Sequence, residues 1–397
     1  MANDDLGAFV TDSPVGPPTG DGPLSGVDAA VKDCFAFRGH TSSFGIGRWR
    51  ETHDPATSNS SVVTRLSGAG AQIVGLAKLD QLAFSLVGNA SEGPAPRNPR
   101  HPDLYTGGSS SGSAAAVAGG RAALGVGTDT AGSVRVPAAL CGIHGLRPTW
   151  GSIDMAGCLP LAPSFDTCGL LAANPLVMAR ALQVLAPRPA SSAPIRRVMV
   201  DPSLAAPDAT PLVEGARVVA QVVGATLETV SVAHLVNHDV GALLSRVQGR
   251  EVWQTLGDWA TRNADALDAD VARRLSACRG FAEEDDATVE VDLTDRRLFT
   301  ELLAQVVPPD TVLVTPTLGV PLPRIDSPLE DLGGFRRSTV ALMAPASLSG
   351  WPQLTWSPAR LQSPGGAVGL LARPGSDDAL VDLLARLSSH DHGDDRS

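Results

Sequence analysis

Residues 107–137 read GGSSSGSAAAVAGGRAALGVGTDTAGSVRVP, and the expected architecture follows from this segment. Small residues over 113–120 predict a tightly packed helix, and residues 122–127 predict a buried strand directly after it. Loops rich in glycine or serine lie before the helix (107–113) and after the strand (127–137). Each loop borders an apolar segment, whereas flexible linkers seldom do. The segment therefore predicts a helix–strand unit of an α/β protein with two anchored, serine-bearing loops.

Further strands are expected on both sides of this unit. Residues 27–31 and 72–76 are apolar enough for strands, with a helix over 62–71 between them. Residues 310–317 and 367–372 predict two more buried strands near the other end of the chain. Because strands at both ends are separated by helical segments, one α/β sheet domain is favoured over two separate domains.

The ends of the chain differ in composition from this domain. Residues 1–24 are polar and rich in proline and glycine, so we expect a loose arm there, within which residues 6–10 allow a short strand or turn. The domain is expected to cover residues 25–387 and to finish with a helix over 377–387. Residues 388–397 (SSHDHGDDRS) predict a disordered tail.

Composition excludes several classes of partner. The chain has 31 Lys and Arg against 42 Asp and Glu, and the formal charge of −11 repels nucleic acid and anionic lipid. No run of 18 apolar residues and no signal peptide is present, so we expect a cytoplasmic protein without membrane contact. The 5 cysteines have no CxxC spacing, which indicates neither a disulfide framework nor a metal site.

The two loops allow three interpretations. They are linkers, phosphate-binding loops, or backbone donors gathered around a serine for acyl transfer. Gly107 to Gly112 and Gly127 to Gly132 have the glycine spacing of a phosphate loop, but neither second glycine is followed by the required lysine. Backbone N–H groups around a serine suit the stabilisation of a tetrahedral oxyanion. Small residues such as Ala131 allow a substrate carbonyl to approach the backbone.

A serine nucleophile requires a base, and two kinds are available. The GxSxG motif that accompanies a histidine base is absent around Ser133, although His144 is near in sequence. A buried lysine is the other option, because burial lowers its pKa and leaves a neutral amine. Lys32 and Lys78 are the chain's lysines, and Lys32 ends a predicted strand. The alternative is that Lys32 pairs with Asp33 at a surface turn.

Three segments together resemble the amidase signature family. They are AVKD around Lys32, GGSSSGSAAAVAGG around Ser109 and GTDTAGSVRVPAALCGIHGLRPT around Ser133, in that order. Ser133 lies 24 residues after Ser109, which is the family's interval between these serines. The resemblance is dense over residues 25–175, and the requirement for three coinciding segments makes it specific. Supporting matches are GLAKLDQLAFS (75–85), APRNPRHPDLYTGG (95–108) and PLAPSFDTCGLLA (160–172).

The resemblance implies a role for each matched residue. Ser133 would attack the amide carbonyl, while Ser109, held by a cis peptide bond, would relay the proton to Lys32 as the base. Position 131 is alanine where the family usually has glycine, which would narrow the oxyanion hole. The N–H groups of the oxyanion hole would come from Thr130, Ala131, Gly132 and Ser133, and loop support from Thr128, Asp129 and Arg135.

The family also implies a fold and an activity. The fold would be one large α/β domain with a central mixed sheet covered by helices on both faces. The activity would be hydrolysis of a small, apolar carboxamide, with no cofactor or metal, by a protein that forms homodimers. The residues of these motifs most resemble those of compact indole-3-acetamide hydrolases. An ester, carbamate or secondary-amide substrate, a glutaminase subunit that supplies ammonia to a partner, and an inactive scaffold remain alternatives.

The pocket walls are expected from three parts of the chain. These are the loop over 84–104, the middle region without motifs, and the segment over 347–356. Trp351 and Trp356 in the last segment are expected to pack in the core.

Overall fold

The computed structural model describes residues 4–11, 13–186, 194–205, 207–358 and 366–393. Its strands form a 10-stranded sheet in the order β2-β1-β3-β5-β4-β9-β10-β8-β6-β7. The strands are β1 (Asp28–Lys32), β2 (Gln72–Ala77), β3 (Leu124–Asp129), β4 (His144–Arg147), β5 (Thr167–Ala172), β6 (Arg197–Val200), β7 (Leu227–Thr229), β8 (Thr311–Pro316), β9 (Gln353–Trp356) and β10 (Val368–Leu371).

The sheet is mixed, as expected. Strands β2, β1 and β3 are parallel at one end, and β8, β6 and β7 are parallel at the other. The four pairs formed by β3, β5, β4, β9 and β10 between them are antiparallel. The strands predicted over 27–31, 72–76, 122–127, 310–317 and 367–372 correspond to β1, β2, β3, β8 and β10.

Helices flank the sheet, and together the two form a single domain. None of the helices in the described ranges combines the length and the apolar character needed to cross a membrane. The helices are α1 (Gly47–Glu51), α2 (Ser61–Gly68), α3 (Ser111–Ala118), α4 (Arg135–Leu140), α5 (Pro175–Leu185), α6 (Thr210–Val223), α7 (His238–Arg262), α8 (Ala269–Ala282), α9 (Asp286–Val306), α10 (Leu329–Ser349) and α11 (Asp377–Gly393).

Helix α3 is the predicted helix of small residues, and its close packing explains its composition. Ser111 to Val117 are all buried. A Cβ atom at Gly112 would lie 2.2 Å from the Ala8 carbonyl oxygen and 2.5 Å from the Lys78 backbone nitrogen. Backbone cannot move aside as a flexible side chain does, so only glycine fits at this crossing.

The N-terminal arm packs against the sheet, and the expectation of a loose arm over 1–24 was wrong. The Val10 N–H donates to the Leu76 carbonyl at 3.0 Å, and the Gly16 N–H donates to the Ile73 carbonyl at 2.9 Å. Leu24 is fully buried. Strand β2 is the last strand at its end of the sheet, and the arm satisfies its unpaired backbone groups. Residues 1–3 and 12 lie outside the described part.

The expectation of disorder from residue 388 was also wrong for most of the tail. Helix α11 continues through Gly393, and the Ser389 hydroxyl donates to the Ala385 carbonyl at 3.0 Å. Leu384 and Leu387 are fully buried one turn earlier. Extending an anchored helix adds one hydrogen bond for each residue fixed, which explains the added turn. Residues 394–397 of the predicted tail lie outside the described part.

Candidate active site

The ends of two neighbouring parallel strands bring the first site residues together. Lys32 is the last residue of β1, and Thr128 is the next-to-last residue of β3. Lys32 Nζ lies 2.7 Å from Thr128 Oγ1 and 2.8 Å from Ser109 Oγ. Lys32 is fully buried, so its amine can exchange protons only with these hydroxyls and with groups that approach them.

Burial changes the acidity of Lys32. Desolvation lowers the pKa of Lys32 below its ordinary value of 10.5, although Cys34 and Cys158, and more weakly Asp80 and Asp166, oppose the shift. The proposed surface pair with Asp33 is absent, because Asp33 bonds to His40 at 3.0 Å and to the Ser43 hydroxyl at 2.7 Å. A lowered pKa increases the neutral fraction of the amine, which is the form that accepts a proton.

Asp80 and its neighbours position Ser109. The Gly108–Ser109 peptide bond is cis, as the resemblance implied. The Asp80 N–H donates to the Ser109 carbonyl at 3.2 Å. A Cβ atom at Gly108 would lie 2.2 Å from Asp80 Oδ2 and 2.9 Å from the Gly88 backbone nitrogen, to which this carboxylate is bonded, so glycine is favoured before the serine.

The two serine-bearing loops contact each other. The Ser110 N–H donates to the Ser133 carbonyl at 3.2 Å, and the Ser110 hydroxyl donates to the Thr128 carbonyl at 3.4 Å. Ser133 itself is buried apart from its contact with a cavity that it lines. The structure thus places Lys32, Ser109 and Ser133 in one buried neighbourhood.

Asp129 holds the loop that carries Ser133. Its carboxylate accepts hydrogen bonds from the N–H groups of Gly132 at 2.9 Å and Val134 at 3.1 Å. The Gly132 N–H is therefore already bonded within the loop. Gly132 was one of the four predicted donors to the oxyanion, and this bond removes it from that set. Thr130, Ala131 and Ser133 remain as the candidate donors.

Two buried arginines neutralise Asp129. Arg135 Nη2 lies 2.8 Å from Asp129 Oδ1, and Arg147 Nη1 lies 3.2 Å from the same oxygen. Burial alone would raise the pKa of Asp129, but the two guanidinium groups hold it well below the ordinary 3.8. Arg135 also donates to the Ser347 hydroxyl at 3.1 Å, which ties the loop to helix α10. Asp129 and Arg135 are thus bonded to each other beside the loop that they were predicted to support, while the Thr128 hydroxyl contacts Lys32 and its carbonyl accepts the Ser110 hydroxyl.

Asp166 is a site residue that the sequence interpretation did not single out. The Thr130 hydroxyl donates to Asp166 Oδ1 at 2.6 Å, and the N–H groups of Leu161 and Ala162 donate to Oδ2 at 2.8 and 3.0 Å. Burial raises the pKa of Asp166. The matched segment PLAPSFDTCGLLA contains this aspartate, so the signal was present without an assigned role.

Ser133 opens onto a cavity of about 250 Å³. Two of the three expected walls are present, namely the loop after residue 83 and the middle region. The third was wrong, since helix α10 contributes Arg336 and Val340 and no residue of 347–356 lines the cavity. The lining residues are Ala83, Phe84, Ser85, Leu86, Thr130, Ala131, Ser133, Leu161, Ser245, Gln248, Gly249, Arg274, Ala277, Cys278, Phe281, Arg336 and Val340.

Other polar and aromatic candidates have packing roles. Trp351 and Trp356 are buried in the main core, as expected. His144 is buried in β4, and desolvation lowers its pKa to about 4. No cluster of three or more His, Cys, Asp or Glu side chains suited to a metal ion occurs among the described residues.

Comparisons with known proteins show which family this chain resembles. The Amidase family model matches residues 17–214. Amidase 1 of Oryza sativa subsp. japonica is 29% identical over 96% of this chain and 95% of its own length. Amidase 1 of Arabidopsis thaliana is 44% identical over 45% of this chain, and that match spans 43% of the Arabidopsis protein. Allophanate hydrolase of Kluyveromyces lactis is structurally similar, with a TM-score of 0.80, 26% identity, and coverage of 92% of this chain and 62% of that chain.

The fold and the comparisons together define a hydrolase that acts on C–N bonds of amides. The chain belongs to the amidase signature family.

Proposed function

We propose that Ser133 hydrolyses a small carboxamide through an acyl-enzyme, with Ser109 as proton relay and Lys32 as base. The contact that carries this proposal is the 2.8 Å distance between Lys32 Nζ and Ser109 Oγ at a fully buried position. A lysine held there with a lowered pKa is suited to accept a proton, and the Ser133 loop adjoins it through the Ser110 hydrogen bond.

In the first half-reaction, Ser133 Oγ bonds to the amide carbon and its proton passes to Ser109. The Ser109 proton moves to the neutral amine of Lys32, while the carbonyl electron pair moves onto oxygen. The tetrahedral oxyanion then accepts hydrogen bonds from the free N–H groups of the 130–133 segment. Return of the proton through Ser109 to the leaving nitrogen breaks the C–N bond and releases ammonia.

In the second half-reaction, water attacks the ester that links the acyl group to Ser133. Its proton follows the same relay to Lys32, and collapse of the second tetrahedral intermediate returns that proton to Ser133 Oγ. The products are a carboxylate and the regenerated enzyme. Thr128 accepts one hydrogen bond from the Lys32 amine throughout, which orients the lone pair toward Ser109.

The direct test is ammonia release from a panel of primary amides by the wild-type and Ser133→Ala proteins. The panel comprises indole-3-acetamide, benzamide, short aliphatic amides and glutamine. Hydrolysis that disappears in Ser133→Ala supports the proposal. Ser113→Ala is a matched control, because Ser113 is also buried but its hydroxyl donates to the Val126 carbonyl at 3.0 Å. Full turnover by Ser133→Ala would contradict the assignment of the nucleophile.

The same hydrolysis assay identifies the type of bond that is cleaved and detects any dependence on a partner protein. Esters, carbamates and secondary amides would react through the same residues, so relative rates across leaving groups establish the preference. A glutaminase subunit would show glutamine turnover that rises when a partner protein is added. The homodimer and the cytoplasmic location stay predictions, which size-exclusion chromatography and cell fractionation address.

A further inference from the structure

Two arginines from different helices line the same cavity as Ser133. Arg274 belongs to α8 and Arg336 to α10. No aspartate or glutamate is among the described residues that line this cavity. A small molecule bound against Ser133 therefore meets positive charge on the wall and no facing carboxylate.

The carboxylates behind the cavity wall do not fully neutralise the charge of these two guanidinium groups. Arg274 Nε lies 3.1 Å and Arg336 Nη2 lies 2.7 Å from the same oxygen, Asp270 Oδ2. Arg273 also bonds to Asp270 from the exposed surface. Asp80 is the other acid that acts on Arg274, and burial raises the pKa of Asp80, which weakens its value as a counter-charge. One ionised carboxylate is thus shared among several arginines.

Each cavity arginine also has an unused donor. Arg274 Nη2 and Arg336 Nε are buried and have no hydrogen-bond partner in the described part of the chain. The other Arg274 nitrogens donate to Asp270 and to the Phe84 carbonyl, which fixes the guanidinium plane. Buried donors on charged groups normally have partners, because leaving them unpaired is costly. The two guanidinium groups that line the cavity, whose charge Asp270 only partly compensates, are matched to a carboxylate.

We propose that this cavity selects amides whose acyl group carries a carboxylate, bound by Arg274 and Arg336 while the carboxamide reaches Ser133. This inference rests on the proposed function and refines it, since the expected substrate was apolar throughout. Leu86, Phe281 and Val340 supply apolar walls for the hydrocarbon between the two polar ends. An ammonium group is disfavoured beside the arginines, so glutamine is a poorer substrate than an amide that bears the carboxylate alone.

The first test compares matched substrates. Succinamate, glutaramate, adipamate and 4-carbamoylbenzoate are paired with butanamide, pentanamide, hexanamide and 4-methylbenzamide, in which a methyl group replaces the carboxylate. A charge-assisted hydrogen bond predicts that kcat/KM for at least one anion exceeds that of its neutral partner by about tenfold to one-hundredfold. Equal or lower kcat/KM for all four anions would overturn the proposal.

Variants assign the preference to the arginines. In Arg336→Gln, the ratio of kcat/KM for the anion to that for its neutral partner falls by about tenfold or more, mainly through KM. Arg337→Gln is the matched control, since Arg337 is the exposed neighbour on the same helix and should leave the ratio unchanged. Arg336→Lys restores part of the preference because the charge is kept while the fork geometry is lost. An unchanged ratio in Arg336→Gln would refute the assignment.

A binding measurement separates this inference from the proposed chemistry. Glutarate, the dicarboxylate product of glutaramate, is titrated calorimetrically against wild type, Ser133→Ala and Arg336→Gln. Binding that survives in Ser133→Ala and weakens about tenfold or more in Arg336→Gln supports the carboxylate site even if no amide is hydrolysed. No glutarate binding to wild type, or equal binding to wild type and Arg336→Gln, would overturn it. If Ser133 proves not to be the nucleophile, glutarate binding still tests the carboxylate site.

Discussion

Lys32 and Lys78 are the lysines of the chain, and their surroundings differ sharply. Lys32 is fully buried between the hydroxyls of Ser109 and Thr128. Lys78 is only half-buried, and its amine donates to the Pro94 carbonyl at 3.1 Å. Lys32 is therefore the candidate base, because burial lowers its pKa and the two hydroxyls provide a proton path, whereas Lys78 is a loop contact.

Lys32→Ala is expected to reduce kcat by about 10²- to 10⁴-fold, the usual contribution of a general base. Activity of wild type should rise with pH through the pKa of Lys32, because the protonated amine present at lower pH cannot accept a proton. Desolvation places this limb below the ordinary lysine value of 10.5. The measurement is kcat/KM for a hydrolysed amide across pH.

Two controls accompany this prediction. Lys78→Ala should keep both the rate and the pH profile of wild type. Lys32→Arg should not restore activity, because a guanidinium stays protonated. A wild-type pH profile in Lys32→Ala would show that another group is the base.

At the scale of the element, the loop from β3 to α4 folds back so that its backbone N–H groups bond to the Asp129 side chain. The carboxylate accepts N–H groups from Gly132 and Val134 and pairs with Arg135 and Arg147. This network links the position of Ser133 to the ends of β3 and β4. A helix–strand pattern read from the sequence shows that the loop exists, but its shape depends on charges that come from 6 and 18 residues away.

Asp129→Asn should lower the free energy of unfolding by about 3–5 kcal/mol, because it leaves two buried guanidinium groups without a counter-charge. Urea denaturation measures this change, and amide turnover should fall with it as the loop loses its shape. Asp154→Asn is the matched control, since Asp154 is exposed and compensates no buried arginine; its carboxylate accepts the Ala156 N–H at 3.0 Å and bonds to the Ser61 side chain. A loss of stability no larger than that of Asp154→Asn would show that the arginines find other partners.

At the scale of the whole molecule, the N-terminal arm completes the sheet. It crosses the outer edge of β2 and places Val10 in the main core at 7% exposure, whereas Val15 in the same arm is 51% exposed. An uncovered edge strand offers unpaired backbone groups to other chains. The arm therefore belongs to the folded domain in a physical sense, although its composition is that of a loop.

Val10→Ala is expected to reduce the free energy of unfolding by about 1–2 kcal/mol, the value of the buried methyl groups removed. Val15→Ala should change it by no more than about 0.5 kcal/mol, because the side chain is largely in water. Both are measured by urea denaturation. Equal effects of the two substitutions would mean that the arm is not docked in solution.

Much of the fold follows from local sequence. The strands β1, β2, β3, β8 and β10 and the helix α3 were predictable because their apolar or small residues run continuously. The strands β4, β5 and β9 were not predicted. The first and last have only 4 residues each, and their pairing partners are far away in sequence, so no local pattern distinguishes them.

For the candidate site, the sequence determined the residue types and the order of Lys32, Ser109 and Ser133, since motif spacing is a local property of the chain. Only the tertiary structure decided which N–H groups are already bonded and which side chains line the cavity. Arg274 and Arg336 come from a region without motifs and meet Ser133 through the packing of α8 and α10. Such meetings depend on contacts between distant segments, and these contacts are set by burial and charge across the whole fold.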